Sequence, residues 1–326
     1  MGGATAIAEA IGARRGRRAG RVQPAAARLA TVLFVAVLGG LLVTVALRSA
    51  DAIGHFGAGF LTGAWNPSRG LYGAGDFIVG TVAATAVGMV LAVPVGVGAA
   101  VFLGEICPAR LAGPLAAVVE LLAAAPSIVV GLWGLVVLTP LFGRTVEPFL
   151  ARTPVLDVVF RGPALGASVL LAGVVLAIMV LPTVVALTRT ALAGVDDIDR
   201  EGAAALGATW WQVVRRVVLP GARSGILAAV TLALGRALGE TIAVAMVIGN
   251  RYAVPHSLLS PAATLPSAII NNFAEATGRL ELSAVFGLAL VLLVLTALVN
   301  VGGQALVRGR RVRQSVAGVP AGERAA

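Results

Sequence analysis

The chain has 326 residues, 58 % of them hydrophobic and 12 % charged, with a mean hydropathy of +0.95; that is more apolar surface than a water-soluble domain hides from solvent. All 25 basic residues are arginine, set against 15 acidic ones, for a formal net charge of +10. A lone Cys107 excludes an internal disulfide, and one thiol with two histidines, His55 and His256, makes no metal-ligand cluster.

A bilayer core of about 30 Å needs roughly 20 apolar residues in a helix rising about 1.5 Å each. Six segments satisfy this, and they predict an all-α polytopic membrane protein with six transmembrane helices at 29–48, 76–103, 114–140, 164–188, 224–249 and 281–307. An arginine-rich leader, 1–28, precedes the first span. That run is long for a signal peptide and lacks a clear small-residue cleavage pattern, so it reads as a retained anchor. The first span and its loop fill 29–75, and a basic tail closes the chain at 308–326.

With the leader placed in the cytoplasm, that side holds 17 of the 25 arginines, against seven on the other side and Arg236 within a span. The bias predicts both termini inside, and the positive charge anchors the chain to the anionic inner leaflet of the lipid bilayer. No exposed basic domain with interleaved aromatics points to nucleic acid. The exterior loops 49–75, 143–163 and 250–280 are rich in Gly, Pro and Asn and too short to be separate domains. Both histidines lie there, but nothing in the spacing gathers a Ser/His/Asp set.

The most organised polar segment is 196–222, DDIDREGAAALGATWWQVVRRVVLPGA. Asp196 and Asp197 suit the positive end of a short helix reaching Leu206. Gly207 can take the left-handed conformation that stops it. Thr209 stands three residues before Gln212, the capping-box spacing, and Pro220 is expected to end the second helix. Along that helix Trp210, Val213, Val214, Val217 and Val218 form one apolar stripe. Two readings stay open on periodicity alone: a helix lying on the membrane surface, or one laid into a groove of a cytoplasmic partner.

The fifth span places Arg236 near mid-depth with Glu240 one turn further out, each unfavourable by roughly 2.5–3.5 kcal/mol at the bilayer centre. Such residues face protein or water, and a spacing of four allows an ion pair. A guanidinium also matches oxyanion geometry and stays charged when buried. The pair is therefore either a helix staple or part of a substrate route, with Thr241 and Asn250 as further donors near the helix end. Glu120, in the third span, either pairs with a loop arginine or sits in an inner vestibule. The glycines of the spans (Gly88, Gly96, Gly98, Gly131, Gly134, Gly235, Gly239) predict close helix approach.

The pattern Glu201-Gly202-Ala203, then Gly207, then Leu219-Pro220 resembles the EAA loop of membrane subunits of bacterial ATP-binding-cassette importers, with Gly202 in place of the commoner first alanine. The segments ELLAAAPSIVVGLWGL, LAIMVLPTVV and LALGRALGETIAVAMVIGN add a resemblance to the phosphate-specific importers, PstC-type permease family, over 76–307. The resemblance implies a type I ABC-importer permease fold in the bacterial cytoplasmic (inner) membrane. It implies a transport subunit and not an enzyme, translocating phosphate by alternating access. It also implies as partners a homologous PstA-type permease, two copies of a cytoplasmic ATPase and an extracytoplasmic phosphate-binding protein. Arg236, Glu240 and Thr241 would then line the substrate pathway, and Glu201, Gly202, Ala203, Gly207, Leu219 and Pro220 would form the coupling loop. No cofactor is expected on this chain. A sequence without lysine cannot supply the P-loop lysine, so ATP and Mg are left to the partner ATPase. The alternatives are a permease for molybdate or sulfate, or an ion-coupled carrier.

Overall fold

Proline breaks one of the long apolar runs, before Pro126, and is carried inside helices at Pro94, Pro114 and Pro182. The structure is a computed structural model that describes residues 3–152 and 159–317, with side chains from 27 to 305. Its helices are α1 (Gly3–Phe56), α2 (Gly75–Ile106), α3 (Ala109–Ala124), α4 (Ser127–Ala151), α5 (Val169–Ala193), α6 (Asp197–Ala205), α7 (Trp210–Gly239), α8 (Ile242–Val247), α9 (Leu265–Phe273) and α10 (Arg279–Ala317). Among the described residues, six helices are long and apolar enough to cross a membrane.

Two predicted spans are corrected. The run 114–140 is two helices: Ala125 and Pro126 are extended (ψ 130° and 133°), so α3 stops and α4 starts afresh. Proline's ring disfavours helical geometry at the residue before it, and its missing N–H suits a helix start. The fifth span is broken as well, because α7 ends at Gly239, Glu240 turns extended (ψ 123°), and α8 follows as a separate short helix. Pro182, by contrast, is carried inside α5 without ending it.

Pro220 does not end the second loop helix, contrary to expectation. The helix passes from Trp210 through a wide π turn at Val214–Val218 and continues to Gly239. A proline lacks the donor and crowds the carbonyl four residues back; a wide turn placed just before it relieves both problems.

At the centre, α5 is the most enclosed span: 67 % of its apolar window is buried, against 0 % for the first span. It packs most extensively on α2, and small residues set the distance. A Cβ on Gly88 would lie 2.9 Å from Leu176 Cβ, and one on Gly96 2.7 Å from Val184 Cγ1. Gly131 similarly admits α8, whose Ala243 Cα would be 2.8 Å away. Gly98 and Gly239 face open space, so close packing does not account for them.

The loops 49–75 and 250–280 do more than connect. Phe60, Trp65, Tyr72 and Phe77 are buried together with residues of α9 and α10. Trp65 Nε1 donates to Asn272 Oδ1 (3.2 Å), and Asn272 Nδ2 donates to the Tyr252 hydroxyl (3.0 Å) and to the Ala268 carbonyl (2.7 Å). Burial pushes the Tyr252 hydroxyl above its ordinary 10.0, so it stays protonated at neutral pH. This cap closes the end of the bundle opposite the 196–222 loop.

Candidate functional site

The loop of 196–222 is built as its punctuation predicts. Asp196 Oδ1 accepts from Ile198 N (3.1 Å) to cap α6, Gly207 turns left-handed (φ +84°), and Thr209 with Gln212 forms a reciprocal capping box (2.8 and 3.4 Å). Glu201 and Gly202 are exposed, Ala203 is half-buried, Leu219 packs against the span ends and Pro220 is exposed. The apolar stripe of α7 takes neither expected position. Val214 (1 % exposed) and Val218 (0 %) are buried against Val101, Leu103, Val185 and Leu192, so the stripe clamps the loop to α2 and α5 of its own chain. Left uncovered on this end are Ile198 (75 %), Leu206 (91 %), Trp210 and Trp211.

Arg236 and Glu240 are not paired. Glu240 caps the helix that ends at Gly239, with its N–H bonded to the Ala237 carbonyl, and the spacing of four does not bring the two side chains together. Ion pairs between described residues include Arg200–Glu105, Arg200–Asp197 and Arg279–Asp51. Arg236 is exposed on the surface of this chain and lines a cavity of about 400 Å³ together with Thr183, Leu232, Gly235, Thr296 and Asn300. Three spans meet there: Thr183 comes from α5, Arg236 from α7, and Thr296 and Asn300 from α10. Gly235 makes the approach possible, since a Cβ on it would stand 3.1 Å from Asn300 Oδ1.

Glu240 and Thr241 occupy the break itself. Glu240 N donates to the Ala237 carbonyl (3.3 Å) and Thr241 Oγ1 to the Gly239 carbonyl (3.0 Å), so the break is stitched locally. Asn250, at φ +49°, donates from Nδ2 to the Ala245 carbonyl (2.7 Å) and serves as a helix-end residue. One guanidinium, two hydroxyls and an amide around a cavity can hydrogen-bond a tetrahedral oxyanion without a carboxylate competing for the cation. Thr183, Thr296 and Asn300 were not singled out in the sequence. The usable signal was polarity inside apolar runs, strongest for the amide of Asn300.

A second polar cavity, of about 610 Å³, lies at the loop end of the bundle; Glu105, Glu120, Arg189, Thr190, Asp197 and Arg200 line it. Glu120 is therefore beside a vestibule and makes no ion pair among the described residues. The same described residues hold no group of three metal-ligating side chains.

The family model for the inner membrane component of binding-protein-dependent transport systems matches residues 92–312. A phosphate transport system permease protein PstC of Mesorhizobium japonicum is 43 % identical over 280 residues, covering 84 % of this chain and 86 % of that protein. A protein of the same name from Haemophilus influenzae is 41 % identical over 278 residues, covering 84 % and 88 %. Among solved structures, the inward-facing MetNI methionine ABC transporter matches with a TM-score of 0.51 at 20 % identity, over 71 % of this chain and 92 % of that one. A bacterial alginate ABC transporter matches with a TM-score of 0.50 at 16 % identity, over 71 % and 78 %. At those identities the two structures speak to the fold alone, that of a type I ABC-importer permease. Six spans and a match over most of the chain converge: this protein belongs to the family of binding-protein-dependent transport system inner membrane components, as a transport subunit and not an ATPase.

Proposed function

We propose that this chain is the PstC-like half of an ATP-driven phosphate importer, with 76–307 as its permease core and basic segments at 1–28 and 308–326 on the cytoplasmic side. Orientation rests on the arginine bias, which keeps both termini on the same side as the 196–222 loop. The partners are a PstA-type permease, two ATPase subunits that use ATP and Mg, and an extracytoplasmic phosphate-binding protein. Their inclusion rests on likeness to the phosphate permeases.

The observation that carries the substrate reading is the unpaired guanidinium of Arg236 in a cavity otherwise lined by neutral hydroxyl and amide groups. An anion passing that point meets a fixed fork of donors and no competing carboxylate. Glu240 and Thr241 sit at the break where α7 gives way to α8, a place where backbone can turn without unwinding a whole span. They form the outer part of the route. On the loop end, Glu201, Gly202 and Ala203 on the α6 surface, with Gly207, Leu219 and Pro220 shaping its connection to α7, form the ATPase contact. The exposed Ile198 and Leu206 supply its apolar anchor points.

The test is uptake of labelled phosphate, sulfate and molybdate by the complex reconstituted in vesicles, with and without ATP. ATP-dependent phosphate uptake is expected. Preference for another oxyanion reassigns the substrate, and uptake driven by an ion gradient alone removes the importer reading. Arg236→Gln is expected to abolish uptake while leaving membrane level and ATPase association intact; unchanged accumulation removes Arg236 from the route.

A further inference from the structure

The coupling helix α6 has no buried residue of its own, and the large apolar side chains of Ile198 within it and Leu206 just after it are exposed. Packing therefore does little to attach it to the spans. One side chain ties it to the ends of α2 and α5. Arg200 Nη1 donates to both oxygens of Glu105 (2.9 and 2.8 Å), and Arg200 Nη2 donates to the Leu192 carbonyl (2.8 Å). Glu105 lies in the π turn that ends α2, and Leu192 in the last turn of α5. The side chains of Arg200 and Glu105 are only 22 % and 10 % exposed, so water screens the pair little. Exposed Asp197 lies 3.6 Å from Arg200 Nε without hydrogen-bonding it, and Glu120 and Arg189 are the other charged groups facing the same cavity.

We propose that Arg200 is a positioning residue that latches the coupling helix to the joined ends of α2 and α5, so that displacement of α6 by the ATPase is passed to these two spans. It rests on the reading of 196–222 as the ATPase contact. The direction of transmission follows from the packing. Among the described residues the α2–α5 pair is the most extensively packed, which favours displacement of the two spans together, whereas α6 without its latch keeps only its flanking turns and its contacts with the start of α7. Leu192 lies about 13 Å along α5 from Thr183, a wall residue of the Arg236 cavity. A shift imposed at Arg200 thus reaches that cavity through a single helix. A guanidinium suits the task because its planar fork addresses a carboxylate and a carbonyl at once, which an ammonium does not do in one fixed geometry.

The test uses the whole complex in vesicles and compares Arg200→Gln, Arg200→Lys and the isosteric Glu105→Gln with wild type. Two quantities are read: labelled phosphate taken up per ATP hydrolysed, and amide hydrogen exchange over residues 197–206. Arg200→Gln and Glu105→Gln are expected to keep the ATPase subunit bound and hydrolysing, to lose several-fold in phosphate per ATP, and to exchange faster in α6. Arg200→Lys is expected to fall between them and wild type. A wild-type ratio in both Gln variants overturns the latch, as does unchanged exchange in α6. Absence of ATP-dependent uptake by wild type itself would instead strike the importer reading, and the exchange comparison would still decide the latch.

Discussion

Arg236 and Glu240 illustrate how little a spacing decides once backbone geometry intervenes. Four residues apart on a continuous helix they would be expected to pair; Glu240 instead caps the helix, the chain turns extended after it, and the cation faces a cavity that Glu240 does not line. Residue identity is decisive in a different way at Asn272, whose amide joins Trp65, Tyr252 and the Ala268 carbonyl beneath the cap. Asn272→Leu strands the buried indole N–H of Trp65, a cost of about 1–3 kcal/mol. The expected outcome is a lower thermal midpoint of the detergent-purified protein with the six-span topology retained, read by thermal unfolding and by protease accessibility. An unchanged midpoint would mean that water replaces the amide without cost.

At the scale of one element, α6 and its turn offer a contrast between two glycines. Gly202 lies within the helix and faces open space, so Gly202→Ala adds only helix propensity, about 0.5–1 kcal/mol in favour of α6. Gly202 lies on the proposed ATPase contact, but alanine is the commoner residue at this position of the EAA pattern, so uptake and ATPase association are expected to be kept. Gly207 also faces open space but sits at φ +84°. Gly207→Val forces a β-branched residue into the left-handed region at about 1–2 kcal/mol or more, tilting α6 away from α7. Reduced co-purification of the ATPase and reduced stimulated hydrolysis are expected. Equal behaviour of the two variants would show that the turn geometry is immaterial. The π turn before Pro220 belongs to this scale too, since it converts an expected stop into a helix that joins the loop to the fifth span.

In the whole molecule, α2 and α5 form a central pair set by glycine contacts, with the loop end clamped by Val214 and Val218 and the opposite end closed by the aromatic cap. Gly88→Leu places a branched side chain where even a Cβ would lie 2.9 Å from Leu176 Cβ, and overpacking costs about 1–3 kcal/mol. Lower membrane abundance and a lower thermal midpoint are expected, measured against Gly98→Leu, which faces open space and is expected to be tolerated. Hydropathy, arginine bias and local caps are properties of neighbours in sequence, which is why the number of spans, α6, the Gly207 stop and the Thr209 capping box were legible without a structure. Helix breaks at Pro126 and Glu240, continuity through Pro220 and the inward turn of the Val214–Val218 stripe depend on what each segment packs against, and a run of apolar residues carries no address for its neighbour. The same limit hid the Arg200–Glu105 contact, 95 residues apart, and the meeting of Thr183, Arg236, Thr296 and Asn300. Composition placed polar groups within apolar spans, and only the packing of α5, α7 and α10 brought them around one cavity.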